Sequence, residues 1–587
     1  MSLSQRIDAV LVDAFAACGL PTDTARAARA ARPELADLQC NGAMPLAKAT
    51  GRNPREIASA VAERLAGRPE IASVEVAGPG FINLRLADGF LSETAAEQDD
   101  APAAGIVQQQ GAAPVLLDFG GPNVAKPLHV GHLRALVIGE SLRRILGAQN
   151  IPTVSDIHLG DWGLQMGMLI SEIRHRMPAL PCFGTDPALP AGALPLDMDD
   201  LQRLYPEAAA ASKADPARMA ESREATAALQ NGDPGARLLW QALRDISLRA
   251  QRHDIDRLGA HFDLFLGESD VQALIAPMVA ELRGRGIAVE SEGALIVEVA
   301  EETDAKPMPP LLLAKSDGAA LYATTDLATI LQRRRDQAPS RILYVVDQRQ
   351  ALHFEQVFRA ARRAGYADGI DLVHVGFGTV NGPDGKPYKT REGGVAQLRD
   401  LLGDAVDKAR ERLAANPERL PAGMDDAGLG RLAEQVGLAA VKFADLSSFR
   451  TSGYVFDAER LVSFEGRTGP YVQYACVRIA SILARGAAQR FEPGPIAVQA
   501  PAERALVLDC ARLPDVVASA TANLAPNEIA DYVFALAQSF SRFYNECPVL
   551  AADGDAVRAS RLSLCRLVHR VLSQGLWLLG IDVPERM

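Results

Sequence analysis

The sequence predicts a multidomain protein: a central α/β domain on a parallel sheet, a small α+β module before it and an all-α helical bundle after it. Three observations carry this. Short apolar runs alternate with helical periods between residues 115 and 400. A stretch rich in Ala, Gln, Gly and Pro, 99–114, separates that region from residues 1–98. After about residue 400 strand patterns cease and amphipathic helical periods continue to residue 587. At 587 residues the chain has room for roughly three to five domains.

Taking the elements in order, Ile7, Val10, Leu11, Ala14 and Phe15 repeat as one face of a first helix. Ile71–Val76 and Phe81–Leu86 alternate about Gly78-Pro79-Gly80, the pattern of a β-hairpin. Residues 99–114 read as a linker. VLLDF at 115–119 is a short apolar strand, GGPNVAKP at 120–127 a loop, and the run from His129 a helix with Val130, Leu133, Val137, Ile138, Leu142 and Ile145 apolar. Thr153–His158, Arg341–Val346 and Leu372–Phe377 are further strands. Residues 176–200 hold five prolines and neither period, which predicts an exposed insertion, bounded at about 176–235. No internal repeat is found.

Composition excludes several classes. With 48% hydrophobic and 23% charged residues, the chain is neither disordered, collagen-like nor a disulfide scaffold. No run of 18 apolar residues occurs, so no membrane span or membrane partner is expected. Asp8 and Asp13 interrupt the apolar core that a signal peptide needs. The seven cysteines form no C-x-x-C pair, and Cys565 with His569 finds no second pair, so reduced thiols in the cytoplasm and no structural metal are expected. Lys and Arg total 61 against 73 Asp and Glu, a net charge of −12. That argues against binding nucleic acid by bulk charge and leaves open a local basic face.

The chemistry concentrates in the loop at 120–132. Ligands in open α/β sheets sit at the carboxyl ends of strands. Gly120 and Gly121 allow close approach of the backbone. Gly131, between His129 and His132, leaves room for a planar group. The helix N-terminus presents unpaired N–H groups to an anion. Two imidazoles three residues apart on that turn can donate hydrogen bonds to a phosphate, and Lys126 adds a positive charge. The pattern predicts a nucleotide site for the triphosphate of ATP. No carboxylate or third histidine stands at metal spacing.

GPNVAKPLHVGHLR resembles the first signature of class I aminoacyl-tRNA synthetases, and its P-N-x-A-K-x-x-H-x-G-H-L-R frame is similar to the arginyl-tRNA synthetase version. Further blocks resemble that family in order: His158 to Gly163, Leu321 to Asp326, Tyr344 to Asp347 with Gln350 and His353, Phe464 to Gly466, Pro470 to Tyr474, and Leu579 to Ile581 with Pro584 to Met587. The matches span almost the whole chain.

The resemblance implies a Rossmann-like catalytic domain over 115–400, a helical anticodon-binding domain over 401–587, and an additional module over 1–98 touching the tRNA elbow. It implies ligation of L-arginine to its cognate tRNA(Arg) through arginyl-adenylate, with ATP and its Mg²⁺ as substrate, by a monomer. Activation requiring bound tRNA is implied as well. His129 and His132 would act on the phosphates with Lys126. Gly131, Lys386, Lys389 and Arg391 complete the ATP contacts.

The second family signature is degenerate: it reads Asp384-Gly385-Lys386-Pro387-Tyr388-Lys389-Thr390-Arg391, with Thr390 in place of the usual lysine, and the resemblance gives Lys126 the compensating charge. D-G-K-P is equally turn chemistry in any protein. Arginine would be held by Asn123, Tyr322, Asp326 and Gln350. From the residues alone Asp326 is a carboxylate able to receive a guanidinium fork, or an ordinary acid of a helix N-terminus. Gly121 stands where the family often has Ser.

Tyr474, Arg478, Ser481 and Arg485 form one helical stripe opposite Val472, Ala475, Cys476, Ile479 and Leu483. Tyr474, Arg478 and Arg485 can stack a splayed base and hold phosphates, or form a solvated face. Two rivals remain: a small-substrate nucleotidylyltransferase sharing H-x-G-H, which would not need residues 401–587, and a non-catalytic relative that binds tRNA.

Overall fold

A computed structural model describes the chain apart from residues 191, 315–321, 390–395, 417–419 and 421–422. It resolves two compact units, Gln110–Ala409 with Ala444–Leu461, and Met1–Gln109 with Arg410–Phe443 and Val462–Met587.

The first is built on a four-stranded parallel sheet. Strand Val115–Phe119 (β1) is buried at every residue, as its unbroken apolar run requires of a strand covered on both faces. Helix Val130–Ala148 (α1) follows, then strand Thr153–Asp156 (β2). Helix Met198–Ala214 (α2) and helix Glu268–Gly284 (α3) precede helix Tyr322–Asp336 (α4). Strand Arg341–Val345 (β3), helix Ala351–Ala364 (α5) and strand Asp371–His374 (β4) complete it. The strand order is β4-β3-β1-β2, all parallel.

On one face Leu327 and Ile330 of α4, Phe354 and Phe358 of α5, and Val271 and Met278 of α3 pack on Leu116, Ile342 and Leu372 of the sheet. Each such side chain contributes about 1.5–3 kcal/mol when removed from water. A charged bolt ties α4 to the strands. Asp118 and Asp156 are register partners on β1 and β2, and Arg333 Nη2 lies 2.7 Å from a carboxylate oxygen of each. Arg333 is 1% exposed, and two buried carboxylates without it would repel.

Several expectations are corrected. The insertion is mostly helical and packed. Beyond α2, helices Pro216–Gln230 and Pro234–Arg257 bury Leu229, Leu239 and Leu243 with Leu201 and Leu204. Among the described residues of 177–197 the regular structure is a turn at Pro181–Phe183, and Cys182 within it is buried. A three-stranded antiparallel sheet, Ala288–Ser291, Ala294–Val297 and Leu311–Ala314, was not anticipated. Strand structure also recurs after residue 400, where Tyr454–Val455 pairs in parallel with Val380–Asn381. Two residues are too few to show a period.

In the second unit, helix Leu3–Ala17 begins with a Ser2–Gln5 capping box and buries Ile7, Val10, Leu11, Ala14 and Phe15. Ile71–Ala77 and Phe81–Leu86 form the hairpin within a four-stranded antiparallel sheet. The expected linker is shorter than 99–114. Helix Asp88–Asp100 runs into it, Pro102–Gly105 is a tight turn, and Asp99 is buried 2.5 Å from Arg566. A buried carboxylate needs such a partner, so this part is structural. The helical bundle comprises Gly469–Ala488 (α6), Pro501–Cys510, Leu513–Asn523, Asn527–Glu546 and Asp555–Leu578. Among the described residues no helix is long and apolar enough to cross a membrane.

Candidate active site

The turn from β1 into α1 is shaped by its glycines. Gly120 and Gly121 have φ of 94° and 41°, a region that L side chains seldom adopt. A Cβ at Gly121 would meet nothing nearer than 3.6 Å, so the backbone conformation, not space, disfavours the family's serine there.

His129 is the N-cap of α1. Its Nδ1 accepts the Gly131 N–H at 3.0 Å, and the His129 N–H donates to His132 Nδ1 at 3.0 Å. The two rings lie 3.9 Å apart, centroid to centroid. With each Nδ1 accepting, each neutral ring carries its proton on Nε2 and is a donor there. Neutrality is enforced: burial, then the charge of Lys126, lowers the pKa of His129, and burial, then His129, brings His132 to about 3. The expected room over Gly131 is taken, since a Cβ there would sit 2.7 Å from the His129 ring. Gly131 serves the cap and leaves no free platform.

Both histidines line a cavity of about 380 Å³ with Asn123, Lys126, Gln202, Tyr205, Pro206 and Gln397. Lys126 Nζ lies 4.5 Å from the centroid of the Tyr205 ring, and burial lowers the ammonium's pKa. Backbone bonds from Val130 N–H to Ala396 O (3.0 Å) and from Leu398 N–H to Leu128 O (2.9 Å) fasten the segment after residue 395 to this turn.

Three carboxylates gather nearby. Asp326, one turn into α4, accepts from His353 Nε2 of α5 at 2.5 Å. Glu268, first in α3, has its pKa raised to about 7 by burial, then by the charges of Asp161 and Asp326. Asp161 is fully buried and accepts from Ser269 N–H and Oγ at 3.0 and 2.8 Å. Tyr322 leaves 64% of its surface exposed. Partial burial, then Glu268 and Tyr205, hold its phenol above the usual range. The backbone joins the carboxylate group to the cavity: Asn123, in the cavity wall, is the bridge partner of Gly160, the residue before Asp161. Asp161 already has a partner in Arg244 at 3.3 Å, so it is Glu268, with the charges of Asp161 and Asp326 both disfavouring its ionisation, that a further cation would relieve. Glu268 was missed because an acid at a helix N-terminus is commonplace in sequence; only its closeness to two others marks it.

Gln350 ends a turn of Gln348–Gln350 before α5 and is exposed. Lys386 and Lys389 are exposed on the Asp384–Gly385 turn, closed by Gly382 N–H to Lys386 O at 2.7 Å. Neither lines the cavity. Thr390 and Arg391 lie outside the described residues. On α6, Val472, Ala475, Cys476 and Ile479 are buried while Ser481 and Arg485 are exposed. Arg478 stacks 4.2 Å from the Tyr544 ring, and half-buried Tyr474 shares a small pocket with Phe464 and Met587. Among the described residues no group of three or more His, Cys, Asp and Glu is arranged to hold a metal ion.

Comparison with known proteins gives concordant matches. Residues 102–458 match a family described as tRNA synthetases class I (R), catalytic domain. Residues 472–587 match the DALR anticodon binding domain, and 1–86 the arginyl tRNA synthetase N terminal domain. An arginine--tRNA ligase from Maricaulis maris is 50% identical over 590 residues, and one from Alkaliphilus oremlandii 42% over 590, each match covering all of both chains. Among solved structures, arginyl-tRNA synthetase from Plasmodium falciparum aligns with a TM-score of 0.83 at 24% identity, covering 100% of this chain and 99% of that one. The Thermus thermophilus enzyme aligns at 0.79 and 25%, covering all of both.

Proposed function

The chain belongs to the class I arginyl-tRNA synthetases, and from that membership we propose how its residues divide the reaction. The enzyme ligates arginine to tRNA for protein synthesis, and its class uses ATP.

The triphosphate, carrying its Mg²⁺, lies in the cavity at the α1 turn. The residues lining that cavity include no carboxylate; the ion counts as part of the substrate and no step is assigned to it. A carboxylate oxygen of arginine attacks the α-phosphorus. The new O–P bond gives arginyl-adenylate, and the bond to the β-phosphate oxygen breaks to release pyrophosphate. No protein nucleophile takes part; the protein supplies position and charge. His129 and His132 donate Nε2–H to phosphate oxygens without adding charge, and Lys126 adds one. Gly131 holds His129, while Lys386, Lys389 and Arg391 approach from the second signature. The 3′-terminal ribose hydroxyl of tRNA then attacks the adenylate carbonyl, releasing AMP.

Asp326, Tyr322, Asn123 and Gln350, joined by Glu268, hold arginine. The observation that carries this reading is the adjacency of a cavity with three cationic or neutral donors, Lys126, His129 and His132, to a cluster of acids. One side suits a triphosphate, the other a guanidinium. A neutral analogue would leave Asp326 and Glu268 without a guanidinium, and that loss supplies the discrimination. Tyr474, Arg478 and Arg485 contact the anticodon arm, supported by the match of 472–587 to an anticodon-binding domain. The 1–98 module meets the tRNA elbow. The enzyme acts as a monomer in the cytoplasm, a placement that its seven unbridged thiols support.

The test is ATP–pyrophosphate exchange with purified enzyme. Exchange is expected only with both arginine and cognate tRNA present. Exchange with arginine alone would remove the tRNA requirement and keep the chemistry. Silence with every amino acid, beside measurable tRNA binding, would overturn the catalytic reading.

Lys126→Ala is expected to slow adenylate formation by about 10²-fold in single-turnover experiments, while ATP affinity changes far less. Equal losses in rate and affinity would assign Lys126 to ground-state binding.

A further inference from the structure

Helix α2 supplies a wall of the nucleotide cavity that no sequence motif marks. Its Gln202, Tyr205 and Pro206 line the same space as Lys126, His129 and His132. The Lys126 ammonium stands 4.5 Å from the centroid of the Tyr205 ring. None of the residues lining the cavity is acidic. A lysine on a loop, beside two neutral imidazoles and without a carboxylate in that cavity, has little to stop it swinging into water. An aromatic face attracts a cation through its quadrupole, and it does so without cancelling the charge.

We propose that Tyr205 is a positioning residue whose ring holds the Lys126 ammonium at the cavity wall as an un-neutralised cation for the triphosphate of ATP. The proposal rests on the reading that Lys126 meets the phosphates. A carboxylate in place of the ring would bind the ammonium more strongly and compete with the substrate. A leucine would exclude water but give no directional attraction. The ring falls between these extremes, limiting where the ammonium goes while leaving its field intact. Tyr205 acts through Lys126, not on the reacting atoms, so its loss falls on the rate more than on ATP binding.

The test keeps the shape of the side chain and varies its quadrupole. Tyr205→Phe retains the ring face and is expected to keep most of the exchange activity. Phenylalanines bearing successively more fluorines, placed at 205 in the full-length enzyme, are isosteric but attract cations progressively less. They are expected to lower kcat for exchange by about tenfold across the series, equivalent to about 1.4 kcal/mol, with little change in KM for ATP or in melting temperature. A flat series would overturn the proposal.

The same series is repeated on Lys126→Ala, where it is expected to be flat. An equal slope there would show the ring acting apart from Lys126, overturning this inference while the role of Lys126 stands. If Lys126→Ala itself leaves exchange unchanged, the reading of Lys126 falls and this inference falls with it.

Discussion

Replacing His129 by asparagine is expected to lower the rate of arginine activation by about 10²–10³-fold and to leave the melting temperature unchanged or slightly raised. The two effects separate because the two ring nitrogens have different roles. Nδ1 caps α1 by accepting the Gly131 N–H. Asparagine is among the preferred N-cap residues, and its carbonyl oxygen can accept that bond. What asparagine lacks is the Nε2–H beyond it. Kinetics and a thermal melt on the same preparation make the comparison. An unaltered rate would remove His129 from the phosphate contacts. A fall in stability matching the fall in activity would leave only the cap.

The second large effect is expected in the arginine KM. Asp326→Asn preserves the shape of the side chain and an acceptor for His353, whose Nε2 lies 2.5 Å away. It removes the charge. Losing one partner of a desolvated charge pair costs about 3–5 kcal/mol, so KM should rise by roughly 10²-fold or more, with a smaller change in kcat. Asp326 also raises the pKa of Glu268. The variant is therefore expected to leave Glu268 more fully ionised in the free enzyme, which cannot restore the second hydrogen-bond fork. Steady-state kinetics at saturating ATP and tRNA decide the matter. An unchanged KM would take Asp326 out of the pocket.

The strand, turn and helix around residues 115–148 were legible because three local signals agree there. An unbroken apolar run buries on both faces. Paired glycines take positive φ. Apolar residues recur at helical spacing from Val130, although His129, read as part of the first turn, proves to be its cap. The acid group was half legible: Asp326 sits in a quotable motif, whereas Glu268 is defined by neighbours 107 and 58 positions away in sequence (268 − 161 and 326 − 268). Tyr205 was hidden for another reason. The prolines from 178 to 195 made the whole insertion look irregular, although its helices begin at Met198 and bury Leu201 and Leu204. Asp99 misled in the opposite sense, since a polar, Pro-rich stretch can still bury a carboxylate when an arginine from a distant helix meets it.

The bolt formed by Arg333 has a consequence for how a growing chain acquires its active site. Synthesis delivers β1 and β2, whose final register sets Asp118 opposite Asp156, well before residue 333. The guanidinium that reconciles them arrives with residue 333, on the same helix that carries Asp326. Until then the two strands have an electrostatic reason to stay apart, and the half-built sheet offers no arginine pocket. A truncated translation product ending before α4 therefore lacks both Asp326, the proposed arginine ligand, and the guanidinium that sits between the two strand carboxylates. On the proposed role of Asp326, the counter-ion and the substrate carboxylate arrive on one helix, so fragments ending before α4 are expected not to bind arginine.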